Sequence, residues 1–341
     1  MDFELSDDQL ALEAAARDLL DDLASPETVR AHIAARDTHD GRLWKAMVDQ
    51  GWLGVDRPEA DGGLGLGFVA AAVLMEQVGR HVAPAPFHQT LLALAALPPE
   101  SAWTERLLGG PVGCIGWDRG DGRMLVPYAP VADVAVVASA DAVHLHDLTR
   151  DGRRRPDREP AMDLTRCVGW LPSDRPGGMQ IGGPEESAAF VDRAVVAGAA
   201  ESLGACDRVL EMSVEYAKTR VQFGKPIGSF QAVKHRCADM LVDLEGMRST
   251  VYHAAWSIAA GEPDAAIAAS TAKVWCADAS RRIMASGLQV HGGIGFTWEH
   301  DLHLYLKRAQ LDRVSFGDAA VHRERLAGLL RDRIAAGESV I

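Results

Sequence analysis

One unbroken string, EYAKTRVQFGKPIGSFQAVKHRCADM from Glu215 to Met240, concentrates the residue types that could grip a phosphorylated ligand. A helix carrying Arg220 is expected to end at Gly224, turn through Lys225-Pro226-Ile227-Gly228 and restart with Ser229 as its cap. Arg220 then offers a fixed fork of donors suited to a diphosphate, and Phe223 a flat apolar face beside it. Read residue by residue, an ordinary helix-turn-helix with a surface arginine explains the string at least as well. A second string, LQVHGGIGFTWEHDLHLYLKRA from Leu288 to Ala309, sets Gly292, Gly293 and Gly295 close together. Alone, that run reads as a tight turn between helices.

The elements that must position these strings differ along the chain. Residues 1–100 are rich in Ala and Leu at helical spacing, interrupted by the turn-rich GWLGVDRPEADGGLGLG, and read as a small helical domain. Residues 101–186 change to short β-branched runs such as VADVAVVASADAVHLHDL between Gly, Pro and Asp clusters, as expected of a compact β domain. Helices return in residues 187–341. Phe230, Val233, Cys237, Met240, Leu244, Met247, Val251, Ala255 and Ile258 step by three or four residues, which predicts one apolar face on a long helix. Gly261 and Pro263 end it, and Asp264 is placed to cap the next helix, the two forming the start of a bundle. A parallel dinucleotide fold does not fit, because strands cluster in the middle and do not alternate with helices.

Taken together, the first string resembles the acyl-CoA dehydrogenase signature R-x-x-F-G-K/R-x-I-x-x-F-Q without a gap. The second is similar to the family's Q-x-x-G-G-x-G turn followed by a helix ending in Arg. GWLGVDRPEADGGLGLG with MEQVGR (Met75 to Arg80) looks like its N-terminal domain. The resemblance implies a mostly α chain: an N-terminal helical domain, a small β-barrel-like middle domain and a C-terminal four-helix bundle through which subunits pair. It further implies FAD as cofactor, an acyl-CoA substrate and an electron-transfer flavoprotein or similar acceptor. Arg220, Gln222 and Phe223 would reach the FAD of a neighbouring subunit. Gln289, Gly292 and Gly293 would do the same at its ADP half, where a Cβ would hold the backbone away from the diphosphate. The implied chemistry is α,β-dehydrogenation, with a glutamate taking the α-proton while the flavin takes hydride.

Two parts of that machinery depart from the pattern. Where the family carries its base in a Y-E-G-T-type stretch, this chain reads SFGDAAVHRERL, so Phe316 takes the aromatic position and Gly317 the glutamate position. Asp318 is the nearest carboxylate; a cap for a helix beginning at Ala319 is its competing role. Asp192, before Arg193, resembles the alternative base position of some members, but ungapped alignment places Ala194 there, and a solvated helix-start aspartate is the competing reading. Between Cys114 and Gly183 no T-E-P-x-x-G-S-type flavin loop is found, and the domain looks short.

Other features bound the answer. A formal net charge of −13 disfavours nucleic acid and anionic lipid. No run of ~20 apolar residues suggests a membrane span, and the acidic amphipathic start argues for the cytoplasm. Cys114, Cys167, Cys206, Cys237 and Cys276 read as buried free thiols. His291, His300, His303 and His322 read as structural, with no metal, and Arg153 to Arg155 as a solvated loop. The expectation is the smaller, base-deficient subunit of a heteromeric dehydrogenase, resembling the actinobacterial α2β2 members that act on bulky thioesters such as steroid side chains. Its FAD sites would be completed with a larger homologous chain. The alternatives are a self-sufficient homo-oligomer using Asp318 or Asp192, and a non-catalytic scaffold.

Overall fold

The computed structural model describes residues 4–149, 155–175, 177–337 and 339. Six helices come first: α1 (Asp7–Leu23), α2 (Pro26–Ala35), α3 (Gly41–Asp49), α4 (Gly67–Arg80), α5 (Phe87–Ala95) and α6 (Ala102–Leu108). Ser6, Ser25, Asp40 and Ser101 each accept a backbone N–H of the helix they precede, so four of these starts are set by side-chain caps. The last helix lies inside the stretch expected to be β. Its cap, Ser101, follows Pro98 closely, and the apolar side chains of Trp103 and Leu107 are buried.

Among the described residues the middle region has six strands: β1 (Gly113–Trp117), β2 (Arg123–Pro127), β3 (Val134–Ala138), β4 (Val143–Asp147), β5 (Val168–Pro172) and β6 (Met179–Gly182). They form one ladder in the order β1-β3-β4-β6 and a second of β2 with β5. Cys114 and Ala135 from the first ladder and Met124, Val126 and Leu171 from the second share one buried cluster, so the two ladders close on each other as a small barrel-like unit.

The remaining helices are α7 (Pro184–Thr219), α8 (Gln231–Ala260), α9 (Ala265–His291), α10 (Leu302–Val314) and α11 (Ala319–Ala335). Met240, Leu244, Met247, Val251 and Ala255 are buried, as the spacing on α8 predicts, whereas Phe230, Val233, Cys237 and Ile258 are half-buried. The position after the loop is held by Asp264, but its carboxylate pairs with Arg333 and makes no cap hydrogen bond. Where α4 crosses α7, a Cβ on Gly204 would sit 1.7 Å from the Glu76 carbonyl oxygen, so only glycine permits this approach of the N-terminal helices to the bundle.

The relative direction of the long helices decides which of their ends meet. Val209 and Ser213 of α7 lie against Gly287 of α9, and Tyr216 stacks on His291 with ring centroids 4.7 Å apart. Nearer their starts, Gly198 and Lys273 line one cleft. The two helices therefore run parallel and finish at the same end. Between them α8 runs the other way, with Asp243 on Arg282 and Gly246 against Trp275.

Candidate functional site

Two separate places gather chemistry-bearing residues. The first is the common end of α7 and α9. The first helix stops at Thr219, five residues before the expected break at Gly224, and Arg220 already has extended backbone. Two short strands follow, β7 (Val221–Gln222) and β8 (Lys225–Pro226), joined by Phe223 and Gly224 at φ +52° and +77°. Positive φ at both central residues defines the tight hairpin that matches strand twist. Phe223 is 91% exposed at its tip, supported edge-on by Phe230, over which Lys225 sits at 4.5 Å. The next helix starts from Phe230, not from Ser229, which lies in a short 3-10 turn.

Beside this hairpin, α9 ends in the turn Gly292–Phe296. Gln289, Gly293, Ile294 and Phe296 are exposed, and a Cβ built on Gly292 or Gly293 meets no heavy atom within 4 Å. The backbone there faces open space. Arg220 is exposed and its guanidinium has no ion pair among the described residues. Free cation, bare glycine backbone and exposed aromatic face thus meet at one end of the bundle.

The second place is a cleft of about 230 Å³ between β1, β2, the first half of α7, Lys273 of α9 and the loop after α10. Lys273 donates to the carbonyls of Asp312 (2.7 Å) and Ser315 (2.8 Å), which holds that loop, and burial pushes its ammonium down to about 8. Gly317 lies in the loop at φ +86°; a Cβ there would stand 3.0 Å from Val321, 3.2 Å from His322 and 3.2 Å from Trp117. His322 hydrogen-bonds to the Phe316 carbonyl at 2.8 Å, and burial pushes its imidazole down to about 4.

Neither candidate base lines this cleft. Asp318 caps α11, accepting from the backbone of Ala320 and Val321 at 3.0 Å, and those bonds, Val321's first, hold its carboxyl below the usual range. Asp192 is not a solvated residue: it is buried and paired with Arg325, and burial raises its carboxyl against that pull.

Residues not singled out from the sequence form the wall behind the cleft. Glu201, fully buried, accepts from Arg166, from Arg308 at 2.6 Å and from His88 Nδ1 at 3.0 Å. Arg308 also holds Asp163 at 2.9 Å, and Arg166 holds Asp312 at 2.7 Å. Burial opposes ionisation of Glu201, but Arg166, His88 and Arg308 outweigh it and keep the carboxylate charged. At Asp312 burial prevails over Arg166 and raises the carboxyl. The available signal was a single charge inside an apolar helical run, at Glu201 in VVAGAAESLGAC and at Lys273 in AASTAKVWCA.

The profile of the acyl-CoA dehydrogenase C-terminal domain matches residues 190–330, and that of the N-terminal domain residues 6–98. Acyl-CoA dehydrogenase IpdE2 of Mycobacterium tuberculosis is 37% identical over 292 residues, covering 84% of this chain and 86% of that protein. The chain belongs to the acyl-CoA dehydrogenase family. Among solved structures, a chain of the ChsE4-ChsE5 complex from M. tuberculosis aligns with a TM-score of 0.85 at 27% identity, over 97% of this chain and 99% of that one. A variant of the Tcur3481-Tcur3483 steroid ACAD aligns at 0.87 and 28%, over 96% and 99%.

The protein is therefore an FAD-dependent acyl-CoA dehydrogenase with the family's helical, β and helical order. The exposed turns fit a dinucleotide: Gly292 and Gly293 leave the backbone approachable, and Arg220 is free to meet a diphosphate. The cleft fits a flavin and thioester poorly, being smaller than the ~300–1,000 Å³ usual for a cofactor pocket. Among the described residues no helix is long and apolar enough to cross a membrane, and no group of three or more His, Cys, Asp or Glu could hold a metal. Cys114, Cys167, Cys206 and Cys276 are buried free thiols and Cys237 a half-buried one. Arg153 and Arg154 lie outside the described residues; Arg155 pairs with Asp133 at 2.7 Å.

Proposed function

We propose that this dehydrogenase is the base-deficient, smaller subunit of a heteromeric assembly, in which its exposed turns complete an FAD site on a larger homologous chain. The observation that carries the reading is Gly317. At the position the family gives to its glutamate, the backbone has φ +86° and a Cβ would press on the side chains of Val321, His322 and Trp117 at 3.0–3.2 Å. The loop is built around a glycine, so it has not simply lost a carboxylate. With Asp318 engaged in capping and Asp192 in an ion pair, no other carboxylate proposed as base is free.

Geometry supports the other half. Along α7 the cleft residue Gly198 and the hairpin at Arg220 are separated by about 33 Å of helix at 1.5 Å per residue. One chain's turns therefore serve a nucleotide other than the one its own cleft would hold. Arg220 and the amides around Gly292 and Gly293 would contact the diphosphate, Phe223 would cover an apolar face, and Gln222 and Gln289 would supply polar contacts. When bound, FAD accepts the β-hydride of the acyl thioester; the larger chain supplies the base that takes the α-proton. The paired solved relatives, one named for steroid, suggest a bulky acyl-CoA such as a steroid-derived one. An electron-transfer flavoprotein or similar protein would be the acceptor, the cytoplasm the location, and 1–100, 101–186 and 187–341 the domains.

The test is co-expression with a larger homologous dehydrogenase chain, reading complex mass and FAD per complex. Two kinds of chain in one particle with FAD, and little FAD on this chain alone, are expected. Arg220→Ala should cut the flavin affinity of the complex by about ten- to a hundred-fold, since a charge-assisted contact is worth about 1.5–3 kcal/mol. Stoichiometric FAD and acyl-CoA dehydrogenation by the chain alone would overturn the proposal.

A further inference from the structure

Three rings lie next to the two exposed turns, at the common end of α7 and α9. One turn earlier on α9 the two helices are in direct contact: a Cβ on Gly287 would lie 2.7 Å from Val209 Cγ1, so α9 takes that side chain against bare backbone. At their ends Tyr216 of α7 and His291 of α9 stack instead, with centroids 4.7 Å apart and planes 23° from parallel. His300, from the loop that leads into α10, meets His291 edge-on at 4.6 Å.

Each ring is fastened to a segment that carries a residue of the turns. The Tyr216 carbonyl accepts the backbone N–H of Arg220 at 2.8 Å, and the Arg220 carbonyl accepts that of Ile227, which closes the hairpin. His291 directly precedes Gly292 and is 4% exposed; its Nδ1–H donates to the Gly287 carbonyl at 2.8 Å, which fixes the plane of the ring. His300 accepts the backbone N–H of Leu302 on Nδ1 at 3.1 Å, and Arg30 holds the same loop through Asp301 at 2.8 Å. Two turns on two helices can grip one ligand only when their separation is fixed, to about 0.5 Å in a well-built site. Hydrogen bonds inside a turn set its own shape, whereas the Tyr216–His291 stack spans the distance from one helix to the other.

We propose that His291 is a positioning residue for the cofactor: stacked on Tyr216, it sets the separation at which Arg220 and the glycine turn hold one dinucleotide together. Two stacked rings have a defined thickness, which an aliphatic pair free to change rotamer lacks. The proposal rests on the reading of these turns as an FAD grip, and it adds to that grip a buried side chain that touches no ligand.

The assembly in which this chain carries FAD, with its companion subunit retained, is stripped of flavin and titrated with FAD by flavin fluorescence. His291→Ala should weaken binding about ten-fold, and His291→Phe, which restores a ring, should bring it back to within about two-fold of the parent. Tyr216→Ala and Tyr216→Phe, made on the other helix, should repeat the pattern. The double variant His291→Ala/Tyr216→Ala should lose no more affinity than either single one, because the two rings act as one spacer. Should His291→Ala not assemble, the Tyr216 pair decides. Parent affinity in the alanine variants, a loss that phenylalanine does not rescue, or losses that add in the double variant would each overturn the spacer. Arg220→Ala separates the two levels: unchanged FAD affinity there removes the grip and the spacer with it, whereas a loss there with none in His291→Ala removes the spacer alone.

Discussion

Gly317 is a position where one residue type decides what the loop can do. A glutamate placed there must adopt φ near +86° and displace Val321, His322 or Trp117, so Gly317→Glu should cost about 1–3 kcal/mol of stability and restore no turnover. A thermal melt beside an acyl-CoA assay checks both halves, and a gain of activity would refute the remodelled-loop reading. His322 carries a pH signature. Its folded pKa of about 4 lies below the ordinary 6.5, so the unfolded chain takes up the proton first as pH falls. The stability it contributes is complete above pH 6.5, declines toward pH 4 and is level below; the span corresponds to roughly 3 kcal/mol. His322→Gln should flatten the urea-derived stability between those limits. The motif alone sets Gly317 where the resemblance places a glutamate. That His322 and Trp117 crowd that space was not legible, because Trp117 lies 200 residues earlier on a strand whose pairing no local pattern reveals.

At the scale of elements, the hairpin between α7 and α8 carries a conflict between folding and use. Phe223 has φ +52°, a conformation that L-residues other than Asn, Asp and Gly adopt at a cost of about 1–2 kcal/mol, and its ring is almost wholly exposed. Phe223→Asn should therefore stabilise the isolated chain by about 1 kcal/mol in urea unfolding while lowering FAD retention in the mixed complex. If the variant retains FAD fully, the ring has no part in the site. Sequence reasoning placed the hairpin's residues together but continued the helix to Gly224, since Tyr216-Ala217-Lys218-Thr219 contains no breaker. A Phe-Gly pair is also not among the Asn-Gly and Asp-Gly signals that mark such turns. The long helices were easier: the spacing on α8 identified five residues that are buried, because its period of 3.6 repeats over many turns. Helix α6 was missed for the opposite reason, with seven residues offering too few repeats.

Across the whole molecule, the ion network centred on Glu201 joins three stretches of chain: His88 from the N-terminal helices, Asp163 and Arg166 from the middle region, and Glu201, Arg308 and Asp312 from the bundle. Removing the central acceptor leaves Arg166 and Arg308 each one carboxylate partner short in a dry interior, so Glu201→Ala should lose about 3–5 kcal/mol, and Glu201→Gln less, by denaturant titration. Separate melting of the β unit and the bundle in Glu201→Ala would show that the network couples them; an unchanged single transition would show that apolar packing suffices. The lone charge at Glu201 was visible in advance but its partners were not, because the hydrogen-bonded pairs lie 35 to 146 residues apart and only proximity makes them a set.

The parallel course of α7 and α9 has one more consequence. The grip and the cleft are set about 33 Å apart along the same rod, so neither shares a side chain with the other. Under the proposed pairing, a chain built this way can do without chemistry in its own cleft and still complete the site of the chain beside it.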